Sequence, residues 1–286
     1  MKAVNIGVQA MTVKEQFASL GAYETMSKLA DIGYRSVEIS QIPTTPENID
    51  AMRRAQDEKG IKVAAMSAGI SPPPMGGESI ATHFSKIVND LKALDCHFLR
   101  IGMLPFDSMA SLEAVLGFCK SAEVAAKKLQ DHGIKLYYHN HHVEFMKFDG
   151  KRLLNIIADE APSLGMELDV HWIQRGGANP VEVIKEFSGR ADLIHLKDYR
   201  IGAIEPAAFD ALAKGDFKTF MEAFQNVVQF AEVGEGNIDM PAVIEAGLAG
   251  GAKYFFIEQD NLYGRDAFDC LITSRDNLAK MGYSLS

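Results

Sequence analysis

Short β-branched and aromatic runs alternate along the chain with longer stretches whose apolar residues recur every three or four positions. The runs predict eight strands: Val4–Gln9, Ser36–Ile39, Lys62–Ser67, Phe98–Gly102, Lys135–His139, Met166–Val170, Leu193–Leu196 and Tyr254–Glu258. The stretches between them predict helices. Met26, Leu29 and Ala30 share one face, and Leu112 to Leu129 ends in Lys127-Lys128, cations placed where a helix dipole is negative. Glycines at four helix–strand joints (Gly33, Gly60, Gly133 and Gly250-Gly251) supply the left-handed residue that ends a helix. Eight such repeats with no break in composition predict an α/β fold: a single (β/α)8 TIM barrel over residues 1–286 with a parallel eight-stranded core. A doubly wound sheet is the alternative, but no Gly-x-Gly-x-x-Gly follows the first strand.

Two segments depart from the alternation. Ser71 to Gly77 is rich in proline and glycine and predicts an irregular loop. Residues 199–240 form a long connection with a helical segment near Asp216–Phe230. Both follow strand ends, where barrel loops shape an active-site mouth, and either is a candidate lid or plain surface loop. Gly234-Glu235-Gly236 is a lone glycine motif and weak support for a phosphate site.

Composition narrows the function classes. A net charge of −9 argues against a nucleic-acid partner, which calls for a basic surplus. No apolar run is long enough to span a bilayer, so no membrane partner is expected. The first residues read as a strand, not a signal peptide, and Cys96, Cys119 and Cys270 show no paired spacing. These features predict a cytoplasmic protein with reduced thiols. A homo-oligomer is a prior from symmetry alone.

The chemistry concentrates at the later strand ends. Strand five runs into His139-Asn140-His141-His142-Val143-Glu144, and strand six into Glu167-Leu168-Asp169-Val170-His171-Trp172. Strand seven brings His195-Leu196-Lys197-Asp198, and strand eight Glu258-Gln259-Asp260. Five of the eight histidines lie in these segments, so one rim carries both imidazoles and carboxylates. Crowded carboxylates are unfavourable unless a cation or protons offset them, and a divalent ion held by oxygen and imidazole does so. Buried ion pairing is the other reading. His141 and His171 are candidates for proton transfer or for binding a substrate hydroxyl. Lys197 shares the strand face of His195 and is placed to hold a developing oxyanion, or else to pair with Asp198 or Glu167. Trp172 offers a flat wall to a sugar ring or packs its loop. Glu235 either reaches the site or caps it, while Gln9, Ser67 and Arg100 stand near other strand ends.

These segments, with Glu232-Val233-Gly234-Glu235-Gly236, resemble the xylose-isomerase-like barrel superfamily of sugar isomerases, epimerases and inosose dehydratases. The resemblance implies one metal ion (Mn, Co, Mg or Zn) held by Glu, Asp, His and Glu from strands five to eight. By position it implies Asp169, His195 and Glu258. On strand five the usual glutamate falls near His139, and the nearest acid is Glu144. Glu144 is the expected fourth ligand because hard cations prefer oxygen, with His139 and His141 as alternatives. His139 is otherwise a substrate contact.

A metal-polarised carbonyl loses a neighbouring proton more readily. Returning the proton gives isomerisation or epimerisation of a monosaccharide or related keto-polyol. Expelling a β-oxygen gives inosose-dehydratase-like or 3-keto-sugar lyase chemistry. Histidines on strand five incline toward the lyase. Endonuclease IV shares the barrel resemblance, but the early strands lack matching histidines and the charge is wrong for DNA. A non-catalytic sugar-binding protein is a further class, against which Asp169, His195 and Glu258 weigh.

Overall fold

The computed structural model describes residues 1–72 and 77–286. Pro73 to Gly76, the middle of the expected proline–glycine loop, lies outside the described residues. Eight parallel strands close into a barrel in sequence order: β1 (Ile6–Gln9), β2 (Ser36–Ile39), β3 (Lys62–Ser67), β4 (Phe98–Ile101), β5 (Lys135–His139), β6 (Gly165–Asp169), β7 (Leu193–Leu196) and β8 (Tyr254–Ile257). Each predicted strand is present, shifted by no more than two residues. The largest shift is at β1, where Lys2–Val4 leaves the barrel and pairs with Tyr283–Leu285, tying the two ends of the chain together.

The strands are buried on both faces, as parallel sheets wrapped by helices must be. Val37, Leu99, Leu136, Leu168, Ile194 and Phe255 join the helical apolar stripes in the main core. The opposite face points into the barrel and is sorted by height. At the base, Ala65, Tyr137, Leu193 and Phe256 form a separate apolar plug with Phe98 and Tyr254 packed on it. Two residues further along, where a strand returns to the same face, stand Arg100, His139, His195 and Glu258. The barrel is therefore an aromatic plug supporting a polar floor.

Helix ends follow the expected chemistry. The Ser111 hydroxyl caps Leu112–Gln130, whose last turn carries Lys127 and Lys128. Gly60 (φ 66°) and Gly133 (φ 73°) adopt the left-handed conformation at two of the predicted joints.

The long connection differs from its reading. The predicted helix ends at Gln225, and Val228–Ala231 is a strand pairing antiparallel with Asp198–Ile201. A partner strand supplied by tertiary structure overrides the helical periodicity there. The resulting ribbon sets Tyr199 opposite Phe230 above the barrel mouth. Gly234-Glu235-Gly236 holds no open phosphate cradle, because its amides are used internally. Gly234 and Gly236 donate to Asp198 Oδ2 at 3.0 and 3.1 Å, and Ile238 donates to Oδ1 at 3.2 Å. A Cβ at Gly236 would lie 2.1 Å from Asp198 Oδ1, which requires glycine there. Among the described residues no helix is long and apolar enough to cross a membrane.

At the base Asp192 accepts from the Tyr137 hydroxyl at 2.7 Å and the Lys135 ammonium at 2.5 Å. Burial pushes its pKa up, but these two partners outweigh burial and the net shift is downward. The bonds are thus fully present above the ordinary aspartate pKa and are lost as pH falls through the lowered one. Asp192→Ala leaves the buried Tyr137 hydroxyl without its acceptor, and urea unfolding at neutral pH should show a loss of about 1–3 kcal/mol that shrinks in acid. Equal stability of the two proteins at pH 7 would refute this.

Candidate active site

The β5–β8 ends bring four side chains to one point. His139 ends β5, Asp169 ends β6, His195 lies in β7, and Glu258 immediately follows β8. All are buried, and one donor atom from each lies within 4.8 Å of the others. His195 Nδ1 is 2.8 Å from Glu258 Oε2 and 3.8 Å from Asp169 Oδ2. The His139 and His195 rings are 4.6 Å apart.

Neighbours aim these groups. Asp169 Oδ1 caps the Val170–Arg175 helix by accepting from Trp172 N at 2.9 Å, while Asn140 Oδ1 accepts from Asp169 N at 3.0 Å. Among the described residues Asp169 Oδ2 is left buried with no hydrogen-bond partner. Gln9 Nε2 donates to Glu258 Oε1 at 2.8 Å, leaving Oε2 to the cluster. Two carboxylates, two imidazoles and an unpartnered oxygen form a donor set that fits a divalent cation.

Glu144, the expected fourth ligand, is not in this cluster. Its carboxylate accepts from the Tyr138 hydroxyl at 2.6 Å and from His141 N at 2.8 Å. Tyr138 faces outward from β5 and packs on Phe118 of the neighbouring helix, so Glu144 is turned to the outer side of the strand. The position that the resemblance assigns to glutamate is held in space by His139. Glu235 is exposed, and its carboxylate accepts from Asn277 on the last helix at 2.8 Å.

One wall is aromatic and imidazole. His141 lies 5.4 Å from Trp172 and 4.9 Å from His139, and His171 lies 4.7 Å from Trp172 and 5.0 Å from both Tyr199 and Phe230, as ring centroids. His141 Nδ1, both nitrogens of His171 and Trp172 Nε1 are buried without partners among the described residues. Buried polar atoms require partners, and these four suit hydroxyl groups. Burial and the Lys197 charge lower the pKa of His141 to about 4 and that of His171 to about 3, so both rings are neutral at pH 7.

Lys197 pairs with neither residue expected from sequence. Its ammonium lies 2.8 Å from Asp260, 3.1 Å from Glu258 and 3.7 Å from Asp169, and 5.1 Å from the Trp172 ring centroid. Burial disfavours its charge, but Glu258, Asp169 and Asp260 outweigh burial and keep it protonated. Asp169 is itself pushed up to about 7 by burial, against the pull of Lys197.

Beneath the cluster lies a layer that sequence reasoning largely missed. The Arg100 guanidinium is 2.7 Å from Glu38 and 3.2 Å from Glu167, and it donates to the Ser40 hydroxyl at 2.9 Å. Burial pushes Glu38 up, but Arg100 and then His195 hold it low. Burial and the Glu38 charge raise Glu167 to about 8. Burial opposes a charge on His195, yet Glu167, Glu38 and Glu258 outweigh it and raise its pKa well above the usual value. The available signal for Glu38 was a lone acid within a short apolar strand, on the same face as Ser36.

A family model described as a xylose isomerase-like TIM barrel matches residues 26–263. The chain belongs to the xylose isomerase-like TIM barrel family. No curated protein matches it by sequence. Solved structures of similar fold include a sugar phosphate isomerase/epimerase from Parabacteroides distasonis ATCC 8503, with TM-score 0.73 and 19% identity over 97% of this chain and 98% of that one. A probable 3-DHS dehydratase AsbF, involved in petrobactin synthesis, from Bacillus anthracis has TM-score 0.68 and 13% identity over 98% and 99%. D-allulose 3-epimerase from Methylomonas sp. in complex with D-allulose has TM-score 0.66 and 16% identity over 98% of both chains. At these identities the likeness is one of fold.

Lys197→Met removes the cation from among three carboxylates while keeping the unbranched apolar stem of the side chain. The metal-free variant should lose about 3–5 kcal/mol in urea unfolding, because breaking a buried pair leaves uncompensated charge. Wild-type stability would show that the Lys197 pairs carry no such weight.

Proposed function

We propose that this chain is a metal-dependent sugar isomerase or epimerase acting on a monosaccharide or related keto-polyol. The observation that carries the reading is the buried cluster of His139, Asp169, His195 and Glu258, with an unpartnered Asp169 oxygen, beside a wall of unpartnered imidazole and indole nitrogens. His139 takes the strand-five position in the ligand set, and Glu144 braces the turn after β5. A divalent ion bound there would polarise a substrate carbonyl and acidify the neighbouring C–H. The set has two imidazole donors, which suits Mn, Co or Zn better than Mg.

The chain's own groups supply the rest. Trp172 and Phe230 give a sugar ring apolar faces, and His141, His171 and Trp172 Nε1 meet its hydroxyls. Neutral His141 and His171 are the candidates for taking the proton from carbon and returning it. The Lys197 ammonium, fixed by Asp260 and Glu258, provides a positive charge for the developing oxyanion. Three free, buried cysteines fit a reducing compartment such as the cytoplasm.

Elimination of a β-oxygen by a dehydratase or 3-keto-sugar lyase is the second reading. It is favoured by histidine replacing a carboxylate on β5, which leaves one acid fewer around the carbonyl.

Two measurements test the proposal. His139→Ala should lose bound Zn or Mn by elemental analysis, whereas Glu144→Ala should keep it; the opposite pattern would return Glu144 to the ligand set. Keto sugars and inososes incubated with metal-loaded protein in D2O should gain deuterium next to the carbonyl, read by NMR. Conserved substrate mass, apart from deuterium, supports the isomerase or epimerase, and loss of water or an alcohol supports the lyase. Absence of any exchange across the panel would count against both.

A further inference from the structure

The layer beneath the cluster touches both imidazoles of the proposed metal site. Glu167 Oε1 lies 3.3 Å from His195 Nε2, and Glu167 Oε2 lies 3.3 Å from His139 Nδ1. Glu38 also faces His195 Nε2, at 3.3 Å. The other nitrogen of His195, Nδ1, is the one turned to Glu258 and Asp169. These are ion-pair distances: among the described residues His139 Nδ1 and both Glu167 oxygens close no hydrogen bond, while His195 Nε2 hydrogen-bonds Glu38 Oε2 at 3.4 Å. Strand pairing explains the approach of His139 to Glu167, because the two are register partners across β5 and β6.

Resting on the metal reading, we propose that Glu167, supported by Glu38 and Arg100, positions the metal site by fixing opposite tautomers on its two histidines. His195 carries its proton on Nε2 and offers Nδ1. His139 carries its proton on Nδ1 and offers Nε2. A carboxylate is the usual partner for the non-ligating N–H of a metal-bound imidazole, and it fixes ring orientation and raises ligand basicity. Glu167 faces both rings at 3.3 Å, so hydrogen bonds closed to the two non-ligating N–H groups would constrain the rings jointly.

Arg100 gives the arrangement its selectivity. Glu38, Glu167 and His195 also form a compact acid–imidazole group of their own. The Arg100 guanidinium sits within 2.7 and 3.2 Å of the two acids, so the positive charge there is already supplied by the chain. This layer is therefore a support beneath one ion and not a second metal site.

Zinc-loaded, 15N-labelled protein tests this through long-range 1H–15N correlation spectra, which read which ring nitrogen is protonated. The expected wild-type result is an Nε2–H tautomer for His195 and an Nδ1–H tautomer for His139. The same tautomer on both rings, or the reverse pair, would overturn the proposal without any variant being needed. In Glu167→Ala, zinc affinity by competition with a chromophoric chelator should fall roughly 10–100-fold. Glu167→Gln, which keeps one acceptor oxygen, should recover part of the loss. Affinity within twofold of wild type in Glu167→Ala, with unchanged tautomers, would also overturn it. A wild-type protein that bound no zinc would remove the metal reading, and this proposal with it.

Discussion

Charge balance among buried groups at the barrel mouth is the constraint on which the site depends. Glu38, Glu167, Asp169 and Glu258 are all buried inside a ring of apolar strands, and among the described residues the permanent cations buried with them are Arg100 and Lys197. Four carboxylates against two cations leave an excess of two negative charges. Burial makes such an excess costly, so protons or a cation must offset it. Without a cation, the offset appears as a His195 held protonated and as raised pKa values on Glu167 and Asp169. One divalent ion on the His139–Asp169–His195–Glu258 face would supply the same compensation, and would place it where the imidazole and indole wall opens.

The barrel makes this concentration affordable by stacking its interior. The aromatic plug of Tyr137, Phe256, Phe98 and Tyr254 closes the base, and the Glu38–Arg100–Glu167 layer lies above it. The candidate ligands come next, and the Asp198–Ile201 and Val228–Ala231 ribbon covers one side of the mouth. His139, His195 and Glu258 stand one two-residue step above Tyr137, Leu193 and Phe256 on the same strands, so the plug that stabilises the barrel also sets the height of the chemistry.

Much of this was legible in the sequence, for identifiable reasons. The eight strands showed as β-branched and aromatic runs, and the rim chemistry showed because Asp169, His195 and Glu258 end their runs in plain view. The misses depend on geometry that the local sequence pattern does not carry. Glu144 was favoured for its oxygen chemistry, but the turn after β5 carries it to Tyr138 on the outer side, while His139, still within the strand, keeps the inward face. Glu38 was overlooked because one acid in a four-residue strand has no local pattern around it, and its role exists only through Arg100 and His195 across the barrel. Phe230 was placed in a helix because its strand partner lies 31 positions earlier, at Tyr199.

Anomalous diffraction from crystals of the protein soaked in manganese or zinc tests the metal site directly. One strong peak per chain is expected, within bonding distance of His139, Asp169, His195 and Glu258, and none between Glu38 and Glu167. A peak bound by Glu144, or no ordered ion in the barrel mouth, would contradict it.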